Sequence, residues 1–433
     1  MSQCPTSTAF EAAPGTQDWR VLATGAAAWF AAPSASSAAA LLVALAAAEP
    51  LASPVRVETK VRRGGVRVTL RSTAQGLPTS AVAAATRISE LAAAAGLDAD
   101  PSVLADVQLT VDALDPADVV PFWTAALGYE PAGEEDLLDP LHRNPSIWFQ
   151  SNGTARPLRN RIHVDTSRAA LAREETRREV VEASAWEAMG GPYGLCLADA
   201  EGNEIDVVPP GDDWADRSDL ADWVLIFGAM THYPVRSAAL AAELVAQAAA
   251  IADAAEVELL IDTAPEGVTF DSGKDGWEID ERFAGVAAAV QAAARALGLV
   301  ADVEPLRFVQ LGIDAADIDR VQKFWWAALR YVDDVRRELG VTDLVDPLRC
   351  GPPVMFQHLE TDEARRTQRN RIHVDLYVPA DQAQRRIEAA MAAGGRIVRE
   401  SEAPFWVTLA DPEGNELDIA VITGREEAWG TGS

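Results

Sequence analysis

Arg159-Asn160-Arg161-Ile162-His163-Val164-Asp165 returns unchanged as Arg369-Asn370-Arg371-Ile372-His373-Val374-Asp375. Successive side chains of a strand point to opposite faces. In each copy the His and Asp therefore share one face, and the Ile and Val share the other. The same alternation puts Arg161 and Arg371 on the histidine face, where they either clamp a carboxylate or phosphate or, the favoured reading, face solvent at a strand start and offset the acidic surface. Two of the chain's five histidines stand in these copies. The stretch reads as one wall of a duplicated site.

Working outward, more pairs follow in the same order. Asp18-Trp19-Arg20-Val21 resembles Asp222-Trp223-Val224-Leu225, and Val107-Gln108-Leu109 resembles Val309-Gln310-Leu311. Phe122-Trp123 answers to Phe324-Trp325, Asp139-Pro140-Leu141 to Asp346-Pro347-Leu348, and Phe149-Gln150 to Phe356-Gln357. Gly202-Asn203-Glu204-Ile205-Asp206 closes one series and Gly414-Asn415-Glu416-Leu417-Asp418 the other. The offset drifts only from 202 (Gln108 to Gln310) to 212 (Asn203 to Asn415). So long a period excludes a solenoid. The chain of 433 residues is a tandem duplication of a two-part unit, with domains expected at 1–100, 101–212, 213–302 and 303–433.

Composition narrows the function. With 66 acidic against 37 basic residues the formal charge is −29, which repels nucleic-acid backbones and anionic membranes. No stretch offers the ~20 strongly apolar residues that span a bilayer; the Ala-rich runs at 36–48 and 238–255 read as helices of the fold. The N-terminus lacks a basic secretory signal. Three scattered cysteines, Cys4, Cys196 and Cys350, give neither a disulfide framework nor zinc spacing. These features fit a cytoplasmic protein whose partner is a small molecule.

The first part of each unit is Ala-rich. Residues 18–48 read as a strand or short turn and then a helix. Strands at 55–60 and 66–71 flank Arg63-Gly64-Gly65, a hairpin signal, and 80–95 returns to helical spacing. The second copy expects helices near 236–254 and 281–297, and strands near 256–262 and 267–271 about a turn at Thr263–Gly267. Residues 18–97 and 222–299 resemble the pterin-4a-carbinolamine dehydratase family. The histidines that do acid–base work in that family are replaced here by Ala52-Ser53-Pro54 and Asp253-Ala254-Ala255, and later by Ser72 or Thr73 and Asp271 or Ser272. A structural or dimer-forming role is expected, with 4a-hydroxytetrahydrobiopterin dehydratase as an alternative.

The second part alternates strand, helix and several strands twice. Helices are expected at 116–127 and 316–329, strands at 146–150 and 354–358, and tight turns at Asp199–Asn203 and Asp411–Asn415. This order, with its closing Gly-Asn-Glu turn, resembles the vicinal oxygen chelate superfamily, in its glyoxalase-like and bleomycin-resistance branches, over 104–210 and 306–422. The expected fold class is α+β: a duplicated dehydratase-like α/β sandwich plus a glyoxalase-like domain of paired βαβββ modules, together one intramolecular pseudo-dimer; a further homodimer stays open. The resemblance implies metal-ligand positions at Gln108, Gln150, His163 and Asp206, and at Gln310, Gln357, His373 and Asp418. Two neutral amides in each set suit a hard divalent metal better than zinc.

Without metal, each set is acid–base equipment, with His163 and Asp206, or His373 and Asp418, as catalytic residues. Asp165 and Asp375 stand beside them as partners. Trp148, Gln108, Gln150 and Arg161 are candidate substrate contacts in the first copy, and Gln310, Gln357 and Arg371 in the second. Two functional classes follow. One is a small-molecule lyase or isomerase, acid–base or metal-assisted. The other is a binding protein that sequesters an aromatic or hydrophobic metabolite, as in drug resistance.

Overall fold

The computed structural model describes residues 4–48, 55–73, 76–169, 178, 180, 195–359 and 363–430. The Ala52-Ser53-Pro54 segment lies outside them, as do residues 181–194. Three mixed or antiparallel sheets organise the rest.

The Ala-rich parts of both copies combine into one nine-stranded sheet. Its seam is the antiparallel pair Val57–Arg62 and Leu260–Ala264, where Thr59 Oγ1 and Thr263 Oγ1 lie 2.7 Å apart. One face carries Phe30, Val61, Val66, Val68, Leu70, Ile261, Val268 and Phe270 into a core with helices Ala35–Ala47, Ala81–Ala94, Ala238–Ala255 and Phe283–Ala296. The second copy also caps a helix of the first. Asp253 accepts from the backbone N–H groups of Ala35 and Ser36 at 3.1 and 2.8 Å, satisfying orphan donors at a helix start. Gly25–Ala31 and Gly228–Pro234 are strands. The first corrects the sequence expectation for 18–48, because small side chains that read as helix formers here sit in a sheet interior beneath helices, where tertiary burial overrides propensity.

The opposite face of this sheet is charged and also covered. Glu58, Lys60, Arg62, Arg67, Arg71, His232, Asp262 and Asp271 alternate with the core residues along their strands. The loop carrying Asp139-Pro140-Leu141 docks on it: Arg143 bridges Asp262 (2.7 Å) and Asp271, and His142 Nδ1 meets Glu58 at 2.6 Å.

The remaining two sheets exchange strands between the copies. Asp106–Ala113, from the first copy, pairs antiparallel with Ile372–Tyr377 from the second. Ile162–Arg168 pairs in the same way with Arg307–Ala315. Each eight- or seven-stranded sheet therefore joins the leading module of one copy to the trailing module of the other. The 101–212 and 303–433 segments thus interleave, forming an intramolecular pseudo-dimer. Helices Pro116–Leu127 and Ile318–Leu329 begin at Asp115 and Asp317 caps, whose carboxylates accept from Ala117 and Arg320 N–H. Their aromatic pairs are core: Phe122, Trp123, Phe324 and Trp325 are buried, and the indoles of Trp123 and Trp325 donate to Asp199 and Asp411 in the closing turns at 3.0 and 3.1 Å.

Candidate functional site

The repeated stretch does two jobs, split at its middle. In the first three residues, Asn160 Oδ1 accepts from the Arg371 N–H and Asn370 Oδ1 from the Arg161 N–H, both at 2.9 Å. Arg161 then donates to the carbonyls of Arg365 and Gln368 and to Asn415 Oδ1, at 2.6, 2.8 and 3.1 Å. Arg371 reaches the carbonyls of Arg156, Leu158 and Gly202 and the Asn203 amide. Both guanidiniums are buried in the joint between copies. Arg161 and Arg371 are therefore not pocket residues, because the strands begin one position later, at Ile162 and Ile372, and the alternation does not extend back to them.

The last residues form the pockets. In the first, His163 and Asp165 lie two apart on one strand, and Asp206 is directly opposite Asp165 on the parallel neighbour. One donor atom from each of the three lies within 4.8 Å of the others. His163 Nε2 is 3.4 Å from Asp165 Oδ1, and its Nδ1 is 3.9 Å from Asp314 Oδ1. Gln310, opposite Asp165 across the joint, donates to Asp165 Oδ2 at 2.7 Å, and Gln357 donates to Asp314 at 2.7 Å. Arg365 holds the other oxygen of Asp314. Gly312 faces the imidazole: a Cβ there would stand 2.2 Å from His163 Cε1 and Nε2.

The second pocket repeats the triad with different walls. His373, Asp375 and Asp418 also cluster within 4.8 Å, and all three are buried. Thr110 takes the place of Gly312 and donates to Asp375 Oδ2 at 2.8 Å. Gln108, opposite Asp375, turns its amide elsewhere: it donates to Ser146 at 3.1 Å and accepts from the Tyr377 hydroxyl at 3.1 Å. Trp148 stands opposite Thr110, where the first pocket has Met355 opposite Gly312. Gln150 stands opposite Asp112.

The four-residue sets expected from sequence are thus divided. Gln108, Gln150 and Trp148 share a sheet with His373 and Asp418, while Gln310 and Gln357 share one with His163 and Asp206. Asp165 and Asp375 belong inside the clusters rather than behind them. The residues missed were Asp112 and Asp314, both buried. Their signal was present in the repeat, since each follows the matched strand segment at a constant offset from Gln108 and Gln310.

Electrostatics follow from this crowding. Burial alone would lower the His163 pKa, but the carboxylates of Asp165, Asp314 and Asp206 gathered around it outweigh burial and raise it. Burial raises Asp206 against the Cys196 thiol that bonds it. Burial pushes Asp375 up to about 6 although His373 pulls it down. The Cys196 thiol is itself driven far up by burial, which makes it a poor nucleophile. Several polar atoms here have no hydrogen-bond partner: Asp165 Oδ1 and Gln310 Oε1 in one pocket, and His373 Nδ1, Asp375 Oδ1 and Asp418 Oδ1 in the other.

Residues 108–208 and 310–420 both match the glyoxalase-like domain family. These two segments are glyoxalase-like domains. No curated protein matches the chain. Among solved structures, glyoxalase I from Zea mays aligns with 75% of this chain and 95% of its own, at 10% identity and a TM-score of 0.36. A glyoxalase I mutant from Zea mays aligns with 75% of this chain and 96% of its own, at 11% identity and a TM-score of 0.37. The exchanged strands mean that each glyoxalase-like pocket draws on both matched segments.

Two buried carboxylates and an imidazole within 4.8 Å are costly to hold as free charges. A divalent cation or a shared proton relieves them. The donor set of one nitrogen and two carboxylates, with unpartnered oxygens aimed at one another, fits a divalent cation that keeps open positions for water or substrate.

Proposed function

We propose that the chain is a glyoxalase-like small-molecule enzyme of lyase or isomerase type, with a divalent cation held by His163, Asp165 and Asp206, and a second by His373, Asp375 and Asp418. The observation that carries this reading is the pair of His–Asp–Asp clusters in which Asp165 Oδ1, Asp375 Oδ1 and Asp418 Oδ1 have no hydrogen-bond donor. When bound, the cation supplies Lewis-acid polarisation of a substrate oxygen.

The chain's own residues supply the rest. Gln310 fixes one oxygen of Asp165 and leaves the other toward His163. Asp314, itself held by Gln357 and Arg365, orients the imidazole from its Nδ1 side. Asp206 is the least buried member of its cluster and has a raised pKa.

The His373 pocket supports a second reading, binding without turnover. There neither the imidazole Nδ1 nor Asp112 Oδ1 has a hydrogen-bond partner, while Arg156 and Arg369 both hold Asp112 Oδ2, at 2.7 and 2.9 Å. Trp148 offers that pocket an aromatic wall, of the kind that stacks on a flat ligand.

Titration of metal-stripped protein with Mn²⁺, followed by electron paramagnetic resonance, tests the assignment. Two bound ions per chain are expected. Asp206→Asn is expected to weaken one site at least tenfold and to leave the other unchanged. Absence of bound Mn²⁺, or equal weakening of both sites, contradicts it.

A further inference from the structure

A separate cavity of about 280 Å³ lies where four parts of the chain meet. Trp29 comes from the nine-stranded sheet, Leu104 from the lead-in to the next strand, Tyr331 and Leu348 from the second copy, and Arg386 from helix Ala383–Ala392. Leu376 also lines it, and along its strand Leu376 points away from the face that carries Asp375 and Tyr377. The cavity is therefore on the opposite side of the sheet from the His373 cluster.

Its walls are apolar, and its charges are unequally matched. Arg67 is paired with Asp106. The Asp346 carboxylate accepts from the backbone N–H groups of Leu348, Cys350 and Gly351 at 3.0, 2.7 and 2.9 Å, so its oxygens are engaged. Arg386 differs. It is only 4% exposed, its one hydrogen bond goes to the Ala328 carbonyl at 3.1 Å, and its Nε has no partner. Among the described residues no carboxylate forms an ion pair with it. The Tyr331 hydroxyl, packed against Gly351, is likewise buried without a partner. Burial pulls the Arg386 guanidinium down to about 10, helped by the nearby Arg330 charge and only partly offset by Asp346. A buried charge left without its partner is strongly destabilising, so an unpaired buried arginine beside an open cavity calls for an anion.

We propose that this cavity binds a small carboxylate with a ring-sized apolar body, its carboxylate on Arg386 and its body against Trp29, Leu104 and Leu348. The planar guanidinium fork matches a carboxylate in two parallel hydrogen bonds. A cavity of roughly 150 Å³ holds benzene; 280 Å³ leaves room for a ring and a short acid chain. The site is independent of the histidine pockets and of the reaction assigned to them.

Calorimetric titration of the full chain with phenylacetate and with phenylacetamide tests this. Phenylacetate is expected to bind one per chain, and the neutral amide at least tenfold more weakly. Arg386→Gln is expected to weaken phenylacetate at least tenfold and leave the amide unchanged. Leu348→Trp, which fills the cavity, is expected to abolish binding of both. A His163→Ala/His373→Ala double variant is expected to bind phenylacetate as the parent does. No saturable binding, equal affinity for the two probes, or loss of phenylacetate binding in the double histidine variant overturns the proposal. The comparison of the two probes on the parent chain decides the matter even if the Arg386 variant fails to fold.

Discussion

Gly312 separates the two pockets at the scale of a single residue. Its missing Cβ is what lets the His163 ring lie flat against the neighbouring strand. Gly312→Ala is expected to push the imidazole out of its cluster, at a stability cost of about 1–3 kcal/mol typical of overpacking. Metal analysis should then find the His163 site empty and the His373 site filled. A full complement of metal in this variant would show that the imidazole is dispensable there. His232 provides a pH test. Burial depresses it to about 4 against an ordinary value near 6.5. Between those values the unfolded chain binds the extra proton, so stability is full above about 6.5 and is lost as pH falls toward 4. The loss is of order 3 kcal/mol at about 1.36 kcal/mol per unit. Denaturant curves from pH 7 to 4 should show it, and His232→Asn should flatten that slope. From the sequence, the imidazoles of His163 and His373 were legible as site residues because they recur. Asp165 and Asp375 were legible as neighbours but not as cluster members, because the parallel register that sets them opposite Asp206 and Asp418 is a pairing that no single strand encodes.

At the scale of elements, helices and hairpins were the most readable features. Asp115 and Asp317 announced their helices, and Gly64 and Gly65 announced their hairpin. Gly25–Ala31 was not readable as a strand, since its alanines carry no period-two alternation. The charged face of the nine-stranded sheet was equally hidden. Glu58, Lys60 and Arg62 alternate along their strand as a solvent-facing strand would, yet the loop at 139–144 covers Glu58 and Lys60, and Arg62 donates to the Arg349 carbonyl. Arg143 is central to that contact, bridging two buried carboxylates. Arg143→Ala is expected to cost about 3–5 kcal/mol, because Asp262 and Asp271 would remain buried with a partner removed. Chemical denaturation measures this; a loss under 1 kcal/mol would mean that water replaces the guanidinium and that the loop docks by shape alone.

At the scale of the whole molecule, duplication was evident from the order of matched segments, but strand exchange was not. Nothing in Gln108 or Gln310 says which copy's histidine it will face. The pairing of Asp106–Ala113 with Ile372–Tyr377, and of Ile162–Arg168 with Arg307–Ala315, is a property of the folded chain. Its consequence is that the two clusters stand in different sheets, each assembled from both copies and joined by the Asn160–Arg371 and Asn370–Arg161 hydrogen bonds. Substitutions in one pocket should therefore leave the other intact. The central claim, that each His–Asp–Asp cluster holds one divalent cation, is tested most directly by elemental analysis of four purified proteins after equilibration with Mn²⁺. The parent chain is expected to hold two ions, His163→Ala and His373→Ala one each, and the double variant none; a parent chain without bound metal, or a double variant that retains it, would contradict the account.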